Sequence, residues 1–431
     1  MLHSQLAGGC AMELVVKGGK RLEGVTEVQG AKNSVLPVLA ACILCDGVCT
    51  VHNCPDIADV STALRILSAL GCKCSFEHGT VRCDSSGIAC CEIPDELMRE
   101  MRSSVVFLGA ILSRCKRAVI SSPGGCELGP RPIDLHISAL KTLGAEITED
   151  HGFLYCDAPN GLRGAQIHLS FPSVGATENI ILAAVCASGK TVIHNAAREP
   201  EISDLADFLN RAGARITGCG SDTVEIIGVK KLSGAEHTII PDRIVAATYL
   251  CAAAATGGEI TLNDVMPAHM IPVLSVLREA GCEIETRGRA LSLSAPERLK
   301  RVPTVRTLVH PGFPTDAGPC VIAMLSRAEG TSVFVENIFE NRYRYIDELN
   351  RFGAHIKTEG RVAVIEGVER LAGAGCSCTD LRGGAALVVA ALSAEGESHI
   401  GSISHILRGY DDIAGVLSSL GADIYCRGEE A

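Results

Sequence analysis

The sequence predicts an α/β protein built from six repeated α/β units in two three-unit domains, with helices inside and sheets outside. Three observations lead there. The string L-x-x-x-G-x-x-(I/C) recurs six times, at intervals of 68 to 73 residues. Each copy joins the end of an amphipathic helix to an alternating strand. Between copies runs a second, Ala-rich helix with little polar surface, as in NIILAAVCAS and RIVAATYLCAAAA.

The copies read LSALGCKC from Leu67, LKTLGAEI from Leu140, LNRAGARI from Leu209, LREAGCEI from Leu277, LNRFGAHI from Leu349 and LSSLGADI from Leu417. Their glycines are Gly71, Gly144, Gly213, Gly281, Gly353 and Gly421. A Gly just past a helix adopts the left-handed conformation at least cost, so each glycine marks a helix stop. A strand such as AEITED or AHIKTE follows. One unit therefore holds two helices and three or four strands in about 70 residues, too large for a solenoid repeat of roughly 20–50. Six units use almost the whole chain, and a break near Pro241 divides them three and three. Met12 opens the first strand-like run, ELVVKG. Residues 1–11 lack a charged n-region and an apolar h-region, and read as an upstream extension rather than a signal peptide.

Composition excludes several classes of function. The chain has 431 residues, 47% of them hydrophobic, and a formal net charge of −11. That balance argues against the basic footprint of a nucleic-acid binder. Aromatics are 3% and Trp is absent, which argues against base-stacking platforms. No apolar run reaches the roughly 18 residues of a membrane span. The longest, Val35 to Cys45, is interrupted by Pro37 and ends at Asp46. The 21 cysteines are scattered through apolar segments, which favours reduced cytosolic thiols acting as small hydrophobes. Cys42, Cys45 and Cys49 have metal-like spacing but lie on an apolar helical run, whose offsets place them on one face toward the core. Cys72/Cys74 and Cys376/Cys378 read as alternating strand positions. No metal site and no cofactor is expected.

Several segments carry chemistry. In VQGAKNSVLPVLAA, Gly30 lets the backbone turn, and Lys32-Asn33 open a helix whose free N–H groups and ammonium suit an anion. Taken alone, Lys32 reads better as a solvated surface residue. From Ser121 to Pro132 runs a loop with three glycines, three prolines and Cys126. A mobile loop with a nucleophile at its centre reads as a lid. Arg131 nearby favours the thiolate; the alternative is an exposed loop cysteine without a role. In FPSVGATENIILAAV, Ser173 caps a helix and Gly175 lets a ligand approach, which suits a diphosphate or simply a capped helix. In HPGFPTDAGPC, Asp316 sits in a Pro/Gly-rich loop, either as a general base or as a cap for the next helix. ENRYRYIDEL, TDLRGGAALVVAAL and HILRGYDDI place Arg342, Arg382 and Arg408 at loop-to-helix junctions. With Arg102 and Arg131 they make five arginines at comparable places in an acidic chain. Guanidinium forks match phosphate and carboxylate, so the five together point to one anionic ligand.

The combination GAKNS, PGGCxLGxRPIDLH, SVGATEN, HPGFPTD, ENR, TDLR and HxxRGY, in this order from Met12 to the C-terminus, resembles the enolpyruvyl transferase family of peptidoglycan synthesis, the UDP-N-acetylglucosamine 1-carboxyvinyltransferases. The resemblance implies an inside-out barrel fold. One domain would be residues 32–240, inserted, with the catalytic Cys loop 121–132. The other would be residues 1–31 with 241–431. It implies an active site that draws on both and closes when UDP-N-acetylglucosamine binds. It implies transfer of the enolpyruvyl group of phosphoenolpyruvate to the sugar 3′-hydroxyl with release of phosphate, in the cytoplasm, as the first committed step of a pathway that serves cell shape and division. Lys32, Asn33, Arg131 and Arg408 resemble the phosphoenolpyruvate contacts. Asn33, Arg102, Arg131, Pro132, Ile133, Asp134, Leu135, Ser173, Val174, Gly175, Asp316 and Ile338 resemble the UDP-sugar contacts. Arg342, Arg382, Asp380 and His136 look like supporting residues. The implied catalytic groups are Lys32, Arg408, Asp316 as base near the 3′-hydroxyl, and Cys126 as acid at C3 or in product release. Cys126 also implies alkylation by fosfomycin.

No nucleic acid or membrane partner is implied, and the oligomeric state stays open, a monomer included. The N-terminal extension and the extra cation Arg344 depart from the family pattern. The sister enzyme acting on shikimate 3-phosphate would share the repeats, but it carries a Lys-Ser pair after Gly-Asp and no PGGC lid. A non-catalytic UDP-sugar-binding paralogue would have lost Cys126, Asp316 or an arginine, and none is lost. A cysteine-rich metal or redox protein rests on the thiol count alone.

Overall fold

The computed structural model describes residues 12–121 and 133–428. They form two compact units: 30–121 with 133–240, and 12–29 with 241–428. Each unit contains three copies of the repeat. Every copy contributes one inner helix and one helix that ends on the repeated glycine.

The inner helices of the first unit are α1 (Lys32–Ala41), α3 (Phe107–Cys115) and α5 (Val174–Ala184); its glycine-stopped helices are α2 (Ala58–Ala69), α4 (Asp134–Thr142) and α6 (Pro200–Arg211). In the second unit the inner helices are α7 (Arg243–Ala255), α9 (Gly318–Leu325) and α11 (Leu381–Ser393), and the others are α8 (Ile271–Glu279), α10 (Ile346–Arg351) and α12 (Ile413–Ser419). Inner helices are buried on all sides: every residue of α9 is buried, as are Ile244–Ala255 of α7 and Arg382–Ser393 of α11. Ala and Gly supply this, because small side chains let α7, α9 and α11 pack directly on one another. The second helices bury one stripe only, as the 3.6-residue period requires.

Each repeated glycine has φ between 85° and 106°. The backbone bonds explain the whole string. Gly144 N–H donates to Lys141 C=O (2.9 Å), and Ala145 N–H donates to Leu140 C=O (3.0 Å). This is the double closure of a Schellman end, in which the Leu and the small residue after Gly meet across the turn. The same pair of bonds closes α2, α6, α8 and α12.

The sheets lie on the outer side of these helices, with one exposed face each. In the third copy the strand Gln166–His168 runs parallel to Lys190–His194 across α5, and Thr223–Ile227 pairs antiparallel with Lys190–His194. The fifth copy follows this plan, whereas in the first the parallel strand is Glu236–Thr238, from the far end of the unit, and in the second it shrinks to a bridge between Glu92 and Val119. In the fourth copy Glu23–Glu27 pairs parallel with Glu259–Asn263, so residues 30–240 interrupt a strand–helix–strand crossover. In the sixth, Met12–Lys17 inserts between Glu397–Gly401 and Asp423–Gly428, pairing antiparallel with both. The ends of the interruption lie together: Ala31 N–H donates to Ile240 C=O (2.8 Å) and Asp242 N–H to Gln29 C=O (2.9 Å). Gly30 is needed there for a close approach and not for a turn. A Cβ on it would fall 1.7 Å from the Asn53 carbonyl oxygen.

The cysteine triplet needs a correction. The helix carrying it stops at Ala41. Cys42 lies in a 3-10 turn, Cys45 opens the short strand Cys45–Asp46, and Cys49 sits on the strand Val48–His52. All three are buried, but three different elements put them there. The two CxC pairs are also only half strand: Cys74 and Cys376 lie in strands, while Cys72 and Cys378 lie just outside them. No helix among the described residues is long and apolar enough to cross a membrane.

Candidate active site

In the unit of residues 241–428 three of the expected motifs converge on Asp316. The loop HPGFPTD ends in a short 3-10 turn, Thr315–Ala317, that runs directly into α9. Asp316 is therefore not the cap of that helix. Its carboxylate is held between two guanidinium groups instead. Arg342 Nη2 donates to Oδ1 (2.9 Å) and Arg382 Nε donates to Oδ2 (3.2 Å). Arg342 and Arg382 are 2% and 4% exposed, whereas the Asp316 side chain keeps 29% of its surface open. Two fixed cations set the carboxylate plane while one edge stays reachable.

The helices explain why each arginine points there. Asp380 caps α11, accepting from the backbone N–H groups of Arg382 (3.0 Å) and Gly383 (3.1 Å). This fixes Arg382 in the first turn of a buried helix, so its side chain must seek a partner inside. Burial alone would lower its pKa, but the negative charge of Asp316, with Tyr410 and Asp242, outweighs burial and raises it. Tyr410, in the HILRGYDDI segment, is fully buried, and its hydroxyl meets Thr248 Oγ1 of α7 at 2.8 Å. Gln29 ties the same segment down, donating to Gly409 C=O (3.1 Å) and accepting from Asp411 N–H (2.9 Å). Arg408 ends the 3-10 turn Ile403–Arg408 and is half-buried.

Glu336 was not anticipated. It is 1% exposed and accepts four hydrogen bonds: from Thr307 Oγ1 (3.0 Å), Thr315 Oγ1 (2.8 Å), Ile338 N–H (2.7 Å) and Phe339 N–H (3.0 Å). It thereby fixes both the residue before Asp316 and the half-buried Ile338. It follows the strand Thr331–Val335 on the buried phase of Ser332 and Phe334, which the sequence does not reveal because Val333 and Val335 occupy the other phase.

In the unit of residues 30–240, Lys32 begins α1 and is 8% exposed, so it is not a solvated surface residue. Its Nζ lies 2.6 Å from Asp59 Oδ2, in the first turn of α2. Asn33 beside it is half-buried. Pro37 cannot donate to the Asn33 carbonyl, which opens the helix locally next to this pair. Ser34, one residue on, donates to Asp204, which also accepts from His237 Nε2 (2.9 Å); that buried chain anchors α1 to α6.

Ser173 caps α5 and accepts from Ala176 N–H (3.3 Å). Val174 and Gly175 complete its first turn. A Cβ on Gly175 would lie 3.2 Å from His136 Cε1, so the missing side chain makes room for that ring. His136 packs over the helix start, and its Nδ1 accepts from Asn179 Nδ2 (2.9 Å). Asn179 also donates to Val105 C=O (2.9 Å) and accepts from Gly109 N–H (2.7 Å), so one buried amide joins α3, α4 and α5. Ile133 precedes α4, exposed Asp134 opens it, and Leu135 is half-buried. Cys126, Arg131 and Pro132 lie outside the described residues, as does the side chain of Arg102. Among the described residues no cluster of His, Cys, Asp or Glu is placed to hold a metal ion.

Burial lowers the His136 pKa from 6.5 to about 4. The unfolded ring therefore takes up a proton before the folded one does. Stability is intact above about pH 6.5 and falls as the pH drops toward 4. Between pH 7 and pH 5 the loss attributable to this ring is roughly 2 kcal/mol. Urea midpoints at the two pH values check it: His136→Asn should show a pH loss smaller by about that amount.

A family model described as EPSP synthase (3-phosphoshikimate 1-carboxyvinyltransferase) matches residues 16–417. UDP-N-acetylglucosamine 1-carboxyvinyltransferase 2 of Caldanaerobacter subterraneus subsp. tengcongensis is 54% identical over 409 residues, covering 95% of this chain and 98% of its own. UDP-N-acetylglucosamine 1-carboxyvinyltransferase 1 of Symbiobacterium thermophilum is 50% identical over 417 residues, covering 95% and 94%. Among solved structures, the enolpyruvyl transferase NikO from Streptomyces tendae superposes with a TM-score of 0.87 at 24% identity, over 98% of this chain and 100% of that one. EPSP synthase from Acinetobacter baumannii gives 0.74 at 19%, over 97% and 100%. At these identities the structures establish the α/β fold, and the sequence relatives narrow the group: the chain belongs to the EPSP synthase family of enolpyruvyl transferases and, within it, to the UDP-N-acetylglucosamine 1-carboxyvinyltransferases.

Proposed function

We propose that the protein transfers the enolpyruvyl group of phosphoenolpyruvate to the 3′-hydroxyl of UDP-N-acetylglucosamine and releases phosphate, supplying peptidoglycan synthesis from the cytoplasm and so serving cell shape and division. The observation that carries this reading is the half-open Asp316 carboxylate between buried Arg342 and Arg382, in a chain whose relatives at about half identity bear that activity in their names.

The reaction is addition followed by elimination. The sugar 3′-oxygen attacks C2 of phosphoenolpyruvate, and C3 gains a proton. The tetrahedral adduct then loses phosphate and a C3 proton. In this reading Asp316 receives the hydroxyl proton and the arginines keep its acceptor edge oriented. Lys32, Arg131 and Arg408 hold the phosphate and carboxylate of phosphoenolpyruvate, Asn33 meets both substrates, and Cys126 delivers the C3 proton or assists product release. Arg102, the Arg131–Leu135 segment, Ser173–Gly175 and Ile338 receive the UDP-sugar. His136 and Asp380 act at one remove, by placing the starts of α5 and α11. The redox state of the carbons returns to its starting point, so no electron acceptor is needed.

Phosphate release from the purified full chain tests this. Release should require both phosphoenolpyruvate and UDP-N-acetylglucosamine, and should stop after fosfomycin with a mass increase on Cys126. Release with shikimate 3-phosphate in place of the sugar nucleotide would move the protein to the sister activity. No release with either acceptor would leave a non-catalytic binding protein.

A further inference from the structure

The strands Lys73–Glu77 and Thr80–Asp84 form a hairpin, with Lys73–Glu77 at the edge of its sheet. The connecting residues His78 and Gly79 have φ of 48° and 70°, as a two-residue type I′ turn requires. In such a hairpin the pair next to the turn exchanges both backbone hydrogen bonds, and pairs alternate from there. Along the register, Glu77–Thr80 and Ser75–Arg82 are bonded pairs, while Phe76–Val81 and Cys74–Cys83 are non-bonded pairs. Non-bonded partners stand about 4.5 Å apart at Cα, within the roughly 4.4–6.8 Å span of a disulfide.

Cys83 also faces Cys49 on its other side. Alternation makes that pair a hydrogen-bonded one, at about 5.5 Å with Cβ atoms farther apart, which suits a disulfide less well. The Cys83 thiol touches those of Cys42, Cys72 and Cys74. Cys83 is 1% exposed, whereas Cys74, on the edge strand, is only partly covered. Both are free thiols in this structure, and neither has a part in enolpyruvyl transfer.

We propose that Cys74 and Cys83 are a peroxide-responsive dithiol that closes into a cross-strand disulfide. Cys74 is the entry thiol because a solute can reach it. Its sulfur attacks one oxygen of hydrogen peroxide, the O–O bond breaks, and Cys74 becomes a sulfenic acid with loss of one water. The Cys83 sulfur then attacks the Cys74 sulfur. The S–O bond breaks, and the departing hydroxide takes the Cys83 proton as a second water. Two thiols are oxidised by two electrons and one peroxide is reduced by two. Burial keeps Cys83 from direct oxidation and leaves it as the resolving partner. The bond staples an edge strand to its neighbour.

The test uses the intact chain, oxidised with hydrogen peroxide, blocked with iodoacetamide and cut with trypsin. Cleavage after Lys73 and Arg82 separates Cys74 (residues 74–82) from Cys83 (residues 83–99). The expected result is a linked pair of these two peptides, two hydrogens lighter than their sum, with fragment ions placing the bond on Cys83 and not on Cys90 or Cys91. In Cys83→Ala the link disappears and Cys74 traps dimedone as its sulfenic acid; Cys74→Ser, at the half-covered position, loses the link without the trap. A bond from Cys74 to Cys72, Cys90 or Cys91 would overturn the proposal. So would a Cys74 that stays fully alkylatable after exposed Cys90 has been oxidised.

Discussion

Replacing Asp316 by Asn should lower kcat by about 10²–10⁴, the range expected when a positioned general base is lost. The amide keeps the shape of the carboxylate, and one oxygen can still accept from Arg342. Its NH2 group then faces the Arg382 N–H donors, which the native Oδ2 accepts at 3.2 Å. Two buried guanidinium groups lose the charge that offsets them. Removing one partner of a buried pair costs ~3–5 kcal/mol, but Asp316 is partly open to solvent, so a loss nearer 1–3 kcal/mol is expected. The two effects separate experimentally. Steady-state phosphate release reads the chemical loss, and urea unfolding reads the stability. Asp316→Glu, which keeps the charge and displaces it, should recover stability more than rate. If Asp316→Asn retains kcat and loses only stability, the carboxylate is a structural counter-ion and the proton goes elsewhere.

The repeat was legible because its cause is local. Leu, Gly and a small residue at fixed offsets close a helix whatever surrounds it, and all six glycines have the left-handed backbone that this requires. Burial of the Ala-rich helices was legible for a related reason, since a helix without a polar face must lie inside. What the sequence hides is pairing between distant segments. Nothing in ELVVKG says that it completes a sheet with strands near residues 400 and 425. The cysteine triplet failed at the opposite scale. Cys42, Cys45 and Cys49 fit a helical offset, but the helix ends at Ala41, Cys45 is already extended, and Gly47 turns the chain at φ 105° before Cys49. Periodicity was read past the end of the helix.

The site was legible as residue types and not as partners. TDLR contains both an acid and a base. The structure uses the acid Asp380 as a cap and sends the base Arg382 to Asp316. Asp316 was the carboxylate read as a base or a cap, and the structure gives the capping contact to Asp380 on its own helix instead. The close approach at Gly175 was hidden in the same way, since what its missing side chain admits is the His136 ring. Asp59 and Asn179 drew no attention because neither sits in a loop or beside a glycine. They matter because α2 and α5 place them against Lys32 and His136.

Lys32→Met gives the second large effect and separates two tasks of one ammonium. The apolar stem is kept, so packing at the start of α1 is little changed, while the cation 2.6 Å from Asp59 is removed. If Lys32 binds phosphoenolpyruvate, kcat/KM for that substrate should fall by about 10²–10³, as for loss of one preorganised charge donor. KM for UDP-N-acetylglucosamine should move far less. Asp59, 2% exposed, loses the cation 2.6 Å away, so unfolding should come earlier by ~3–5 kcal/mol. The double variant Lys32→Met/Asp59→Asn distinguishes the tasks, since neighbouring residues are not additive. It should regain much of the stability, because the buried charge is gone, and none of the activity, because the substrate still lacks its cation. Recovery of both would mean that Lys32 acts only through Asp59 and touches no substrate. A normal phosphoenolpyruvate KM in the single variant would remove Lys32 from the anion site altogether.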